Sequence, residues 1–218
     1  VNINGNYFFK KKVNKLQIQN EIIGRYLSRK IELETTDLKI LSNNLLSYTI
    51  ITPNYRNKDY EYTFSRDHFT IDSKTKNFDD TYLRGLDKDL KDDVLRLIAL
   101  DLMMEQKDRH SLNMECRTKN GITTLAPIID FEASFLNEDK YIYYNPYILL
   151  RKSIEALDNF YNKYPNGYRY LEKLFSITSE EIFDYVESNY HIKTKTLIKK
   201  DITNTIKKNN KIINELNW

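Results

Sequence analysis

The chain has 218 residues, 40% hydrophobic and 30% charged, with a formal net charge of only +3. That length supports one sizeable core or a small lobe joined to a larger one, and the near-balanced charge creates no demand for nucleic acid. The single cysteine, Cys116, excludes an intrachain disulfide and fits a reducing cytosol. No apolar run nears the roughly 18 residues of a membrane span, and no signal-peptide pattern opens the chain, so a cytoplasmic protein is expected.

In chain order, Val1-Asn2-Ile3, the turn pair Asn4-Gly5 and the run from Asn6 to Lys10 predict a β-hairpin, because Asn-Gly suits a tight left-handed turn. A helix follows from Leu16 to Lys30, with Ile18, Ile22, Tyr26 and Leu27 along one stripe. Strands at Leu46–Thr52 and Tyr60–Phe64, joined by the polar loop Pro53–Asp59, complete a small antiparallel sheet with one helix laid on it. Residues 70–86 form a polar connection with a short helix around Tyr82-Leu83. A buried helix runs from Lys88 to Glu105, its stretch Val94–Met104 broken only by Arg96 and Asp101. A hairpin is expected around Asn120-Gly121. Beyond Tyr147 the pattern is helical, with breaks at Pro165-Asn166-Gly167 and Ile177-Thr178-Ser179, and an acidic helix start at Ser179-Glu180-Glu181. The expected fold class is α+β: a small N-terminal lobe over 1–69 and a mainly helical lobe over 70–218. The basic runs Lys10-Lys11-Lys12 and Lys193 to Lys211 read as solvated faces.

The chemistry concentrates in Lys107-Asp108-Arg109-His110-Ser111-Leu112-Asn113 and in Ala126-Pro127-Ile128-Ile129-Asp130-Phe131-Glu132. An Asp, an Asn five residues later and a second Asp after an apolar run form a phosphoryl-transfer constellation. Asp108 can hold an acceptor hydroxyl. Asn113 and Asp130 offer hard oxygen ligands to Mg²⁺, with Asp130 carried on a strand Leu125–Ile129. Each residue alone could be a turn or cap residue; the three in this order favour the chemical reading. His110 has no Cys or His partner at ligand spacing, so a loop-shaping role is favoured over zinc. A cation for the nucleotide phosphates and a carboxylate to place it come from Lys10 and Glu21, with Lys12 as the alternative cation. Strand alternation sets Lys10 and Lys12 on one face and Lys11 on the other.

Ala99-Leu100-Asp101-Leu102, then Asp108 to Asn113, then Ala126 to Asp130, resemble the HipA-type serine/threonine kinases, toxin-type bacterial enzymes with an atypical two-lobed kinase fold. Tyr7-Phe8-Phe9-Lys10 and Asn20-Glu21-Ile22-Ile23-Gly24-Arg25-Tyr26-Leu27 are similar to that family's lysine strand and glutamate helix. Ser65, in Tyr62 to Phe69, resembles a segment near its lobe junction. The resemblance covers residues 5–135 and implies ATP and Mg²⁺ as cofactors, a protein serine or threonine as substrate and an antitoxin-like protein partner. It makes Asp108 the catalytic aspartate, Asn113 and Asp130 the metal ligands, and Lys10 with Glu21 the phosphate-binding ion pair. The chain departs from it at Gln106-Lys107, where Asn-Thr is common, and at Glu132, where glycine is common in related kinases. No glycine-rich phosphate loop precedes Lys10, which fits either a fragment of a longer protein or a different cover for the nucleotide. The other readings are a catalytically impaired kinase-fold module that binds a nucleotide or protein, and a small-molecule phosphotransferase with Asp79-Asp80, Asp87 and Asp92-Asp93 as its acidic cleft.

Overall fold

The computed structural model describes residues 2–3, 6–43, 47–68, 80–109, 114–131, 134–135, 147, 150–151, 153–194 and 196–216, with backbone alone for 2–3, 6–10, 42–43 and 196–198. Strands β1 (Asn2–Ile3) and β2 (Asn6–Val13) pair antiparallel, Ile3 opposite Asn6, a register with room for a two-residue turn; Asn4-Gly5 itself lies outside the described residues. Helix α1 (Lys15–Lys30) starts where Asn14 caps it. The Asn14 side chain accepts from Leu16 N and Gln17 N, both at 2.9 Å, and Gln17 Oε1 accepts from Asn14 N. Such a reciprocal cap contributes about 1 kcal/mol and fixes where the helix leaves the sheet. Strands β3 (Lys39–Asn43) and β4 (Tyr48–Pro53) complete a four-stranded sheet of order β1-β2-β4-β3. β3 has no counterpart in the sequence reading. It is an edge strand with a bulge between Ile40 and Ser42, and its Leu41 is half exposed, so it carries no alternating apolar signal.

Strand β5 (Glu61–Phe64) corrects an expectation. It does not join the N-terminal sheet but pairs with β6 (Glu115–Lys119), which pairs with β7 (Ile122–Leu125), in a separate three-stranded sheet. The preceding loop supplies the physical reason. It folds back onto β5 and β6: Tyr55 Oη donates to Glu115 Oε2 at 2.8 Å, Arg56 pairs with Glu115, and Tyr62 Oη donates to the Tyr55 carbonyl. The β6–β7 turn falls at Asn120-Gly121 as expected, both residues left-handed at φ 51° and 78°. A second correction concerns the strand read over Leu125–Ile129. β7 ends at Leu125, and the following residues are held by other partners: Ala126 N donates to Glu115 O, Ile128 N donates to Glu34 O, and Ile128 bridges Thr35.

Helix α2 (Lys88–Met104) is the central element, fully buried over Leu97–Leu102 and packed against α1, α4, α6 and β7. Its N-terminal lead-in is a short 3₁₀ helix over Thr81–Gly85. Helices α3 (Ile154–Lys163), α4 (Pro165–Phe175), α5 (Ser179–Tyr190) and α6 (Thr196–Glu215) follow. The α3–α4 break falls at Tyr164 because Pro165, with no N–H to lose, occupies the first position of α4. Thr178 and Glu181 form the box that starts α5. Among the described residues, no helix is long and apolar enough to cross a membrane.

Candidate active site

The site begins at the C-terminal end of α2. Glu105 adopts a left-handed conformation (φ 49°) that stops the helix and turns the chain into Gln106, Lys107, Asp108 and Arg109. Asp101, on the last turns of α2, is fully buried, which requires a cation. Arg109 supplies it: Nε and Nη2 donate to Oδ2 and Oδ1, each at 3.1 Å, with both side chains at zero exposure. Burial pulls the Arg109 guanidinium down and Asp101 pulls it up; the net direction is upward, so the cation persists. The third arm of Arg109, Nη1, donates to the carbonyl of Ile129 at 3.4 Å.

Three backbone polar groups around Asp130, on two consecutive peptide units, are thus held, two from the loop after α2 and one from α1. Arg109 holds the Ile129 carbonyl. Gln106 Nε2 donates to the Asp130 carbonyl at 3.0 Å, and Glu21 Oε1 on α1 accepts from Phe131 N at 3.2 Å. Between these holds Asp130 sits at φ 67°, a left-handed conformation that costs a residue with a Cβ roughly 1–2 kcal/mol. The result is a carboxylate presented outward, about one-third exposed, while Phe131 is driven inward to zero exposure. Two guanidiniums, Arg25 and Arg109, lie over the Phe131 ring, each 5.8 Å from its centroid. A Cβ at position 24 would clash with the Phe131 Cγ, so α1 packs this closely only because the residue is Gly24.

The structure brings several predicted residues together. Asp108 and Asp130 share Gln106, whose Oε1 accepts from Asp108 N at 3.3 Å. Glu21 lies beside them, 2% exposed, but the partners it shows are Arg25 Nη1 and the Phe131 N–H. Arg25 is in turn anchored to the Thr36 carbonyl at 2.9 Å. Lys10 stands in β2 opposite Ile51, with its side chain outside the described residues. Lys12 is exposed, and Lys11, on the other face of the strand, reaches Asp130 Oδ1 at 3.5 Å. Lys11 shares its parity with the buried Val13, so one face of β2 points both an apolar anchor and an ammonium inward. Ser65 is buried at the start of a 3₁₀ turn, its N–H donated to the Met114 carbonyl. His110, Asn113 and Glu132 lie outside the described residues.

Lys11, Gln106, Arg25 and the Asp101–Arg109 pair are the residues that sequence reasoning did not assign. Asp101 carried a usable signal, a lone acid within the apolar run of α2 that needs a buried cation. Gln106 appeared only as a departure from a motif. Among the described residues no group of three or more His, Cys, Asp or Glu could hold a metal. Asp130 is nevertheless the right donor type for Mg²⁺, a hard carboxylate oxygen on a rigid backbone.

No protein-family model matches the chain, and no curated protein matches it either. Solved structures do match. The Helicobacter pylori proinflammatory kinase CtkA superposes with a TM-score of 0.62 at 12% identity, over 96% of this chain and 88% of that one. HipA of Shewanella oneidensis MR-1, from a toxin–antitoxin complex with HipB and operator DNA, superposes with a TM-score of 0.61 at 12% identity. That match covers 93% of this chain and 56% of HipA. The mixed architecture of helices and small antiparallel sheets is the fold shared with these two proteins.

Proposed function

We propose that the chain is a phosphotransferase of the HipA-like kind, using ATP and Mg²⁺ to phosphorylate a serine or threonine of a protein substrate. The observation that carries this reading is the three-point backbone hold on residues 129–131, which presents Asp130 beside both Lys11 and the loop of Asp108. In this reading the nucleotide lies between the N-terminal sheet with α1 and the remainder of the chain, to which β5 belongs through its pairing with β6. Asp108, partly exposed at the end of α2, orients the acceptor hydroxyl and takes its proton. Asp130 and Asn113 would hold the metal, which when bound neutralises phosphate charge. The ammonium beside the metal ligand is that of Lys11, and we assign it the phosphate contact first given to Lys10 and Lys12. Its pair with Asp130 is long and about 40% exposed, the sort worth under about 1 kcal/mol, so phosphate and metal can take over its partners at little cost. Glu21 in this scheme holds the metal loop through Phe131 N and is itself fixed by Arg25. An antitoxin-like protein partner belongs to the same proposal, by analogy with HipA in its complex with HipB.

Three of the five acids read as the cleft of the small-molecule alternative are engaged in internal contacts; Asp87 makes no side-chain cap to α2, and Asp79 lies outside the described residues. Asp92 pairs with Arg96 at 2.8 Å and accepts from Tyr170, Asp93 accepts from Leu125 N at 3.1 Å, and Asp80 pairs with Lys163 at 3.1 Å. These acids hold helices and β7 in place. The test is incubation with labelled ATP, Mg²⁺ and a cell extract. Wild type should transfer label, and Asp108→Ala should lose about 10²–10⁴ in rate while still binding ATP. Asp130→Ala should lose the Mg²⁺ dependence of nucleotide binding in calorimetry. ATP binding by wild type without transfer to any acceptor would favour the non-catalytic module.

A further inference from the structure

The loop of Asp108 and the loop of Asp130 lie on either side of the β6–β7 hairpin, and phosphoryl transfer needs their carboxylates at a fixed separation. Gln106 spans the two loops. It is 1% exposed, and its backbone N–H donates to the Asp101 carbonyl at 3.0 Å, anchoring it to the end of α2. The amide oxygen accepts from Asp108 N at 3.3 Å, and the amide nitrogen donates to the Asp130 carbonyl at 3.0 Å. We infer that Gln106 is a positioning residue that sets the distance between the acceptor-orienting Asp108 and the metal-binding Asp130 through its donor–acceptor side chain. The inference rests on the phosphotransferase reading for its kinetic consequence, but its geometry is independent of it.

Chemistry narrows what can replace this side chain. The position needs one acceptor and one donor on the same planar group, at glutamine length. Leucine has the bulk and neither function. Glutamate keeps the acceptor for Asp108 N, but as a carboxylate it cannot donate to the Asp130 carbonyl, and it adds negative charge beside Asp130. Arg109 holds the neighbouring Ile129 carbonyl independently, so loss of Gln106 should loosen the spacing without releasing the loop.

The test has two arms. In the first, Gln106→Leu and Gln106→Glu are compared with wild type for phosphoryl transfer. Misplacement of reacting groups by about 1 Å costs on the order of 10²-fold in rate, so Gln106→Leu should fall by about that factor. Gln106→Glu, which keeps the acceptor and loses the donor, should be comparably impaired, and in both variants the loss should fall on kcat with KM for ATP little changed, a split that a purely structural packing role would not produce. In the second arm, amide hydrogen exchange should speed up at Asp108 and over residues 129–131 in Gln106→Leu, with α5 and α6 unchanged. Wild-type rates in both variants, or unchanged exchange at Asp108, would overturn the proposal. Where wild type itself transfers no phosphate, the phosphotransferase reading fails while the exchange arm still decides the geometry. Should Gln106→Leu not fold, Gln106→Glu in both arms decides it alone.

Discussion

Two ion pairs that meet at neighbouring residues, Ile129 and Asp130, are built on opposite principles. Asp101–Arg109 is doubly hydrogen-bonded with both side chains at zero exposure, whereas Lys11–Asp130 is a single contact at 3.5 Å between side chains 41% and 35% exposed. The first joins α2 to the loop that follows it, and no ligand can reach it. The second joins β2 to the loop of Asp130, where each partner could be taken over by an incoming ion. A buried pair broken on one side leaves an uncompensated charge, while an exposed pair broken on one side leaves a solvated one. The site is therefore assembled from a permanent frame and an exchangeable contact, and the acid in each case sits where its role requires.

The comparison breaks first at the frame. Asp101→Ala strands Arg109 without its carboxylate and should lower unfolding free energy by about 3–5 kcal/mol in urea titrations. A loss under about 1 kcal/mol would place this pair with the exposed kind. Gly24→Ala probes the same frame from α1. The new methyl must displace the Phe131 ring, over which Arg25 and Arg109 both lie. Overpacking of this sort costs about 1–3 kcal/mol, against at most about 1 kcal/mol gained from helix propensity, so a net loss of stability is expected in the same titration. A gain would mean the ring has room to move. The smallest effect on folding belongs to Lys11→Ala, which should change stability by less than about 1 kcal/mol yet weaken ATP binding measurably by calorimetry. Unchanged ATP affinity in that variant would return the phosphate contact to Lys10 or Lys12.

How legible this was in the sequence follows from how local each determinant is. Helices α1 and α2, the α5 start and the Asn120-Gly121 turn were readable because caps, apolar periodicity and turn chemistry act within a few residues. The sheet assignment of β5 was not, since strand partners are chosen by long-range contacts such as Arg56 with Glu115 and the pairing of Tyr62 with Arg117. The same division runs through the site. Asp108 and Asp130 could be singled out from residue type and order. Which lysine of the Lys10-Lys11-Lys12 run faces Asp130 depends on the parity of β2 in three dimensions, fixed by Val13 entering the core. The role of Gln106 was invisible because a glutamine spanning two loops leaves no spacing pattern.

The left-handed backbone at Asp130 also separates what its carboxylate does from what its main chain does. Asparagine shares with aspartate the short polar side chain that tolerates φ 67°, whereas alanine does not. Asp130→Asn therefore removes the negative charge and keeps the bend, while Asp130→Ala removes the charge and strains the bend. The difference between the two variants isolates the cost of the turn from the value of the charge.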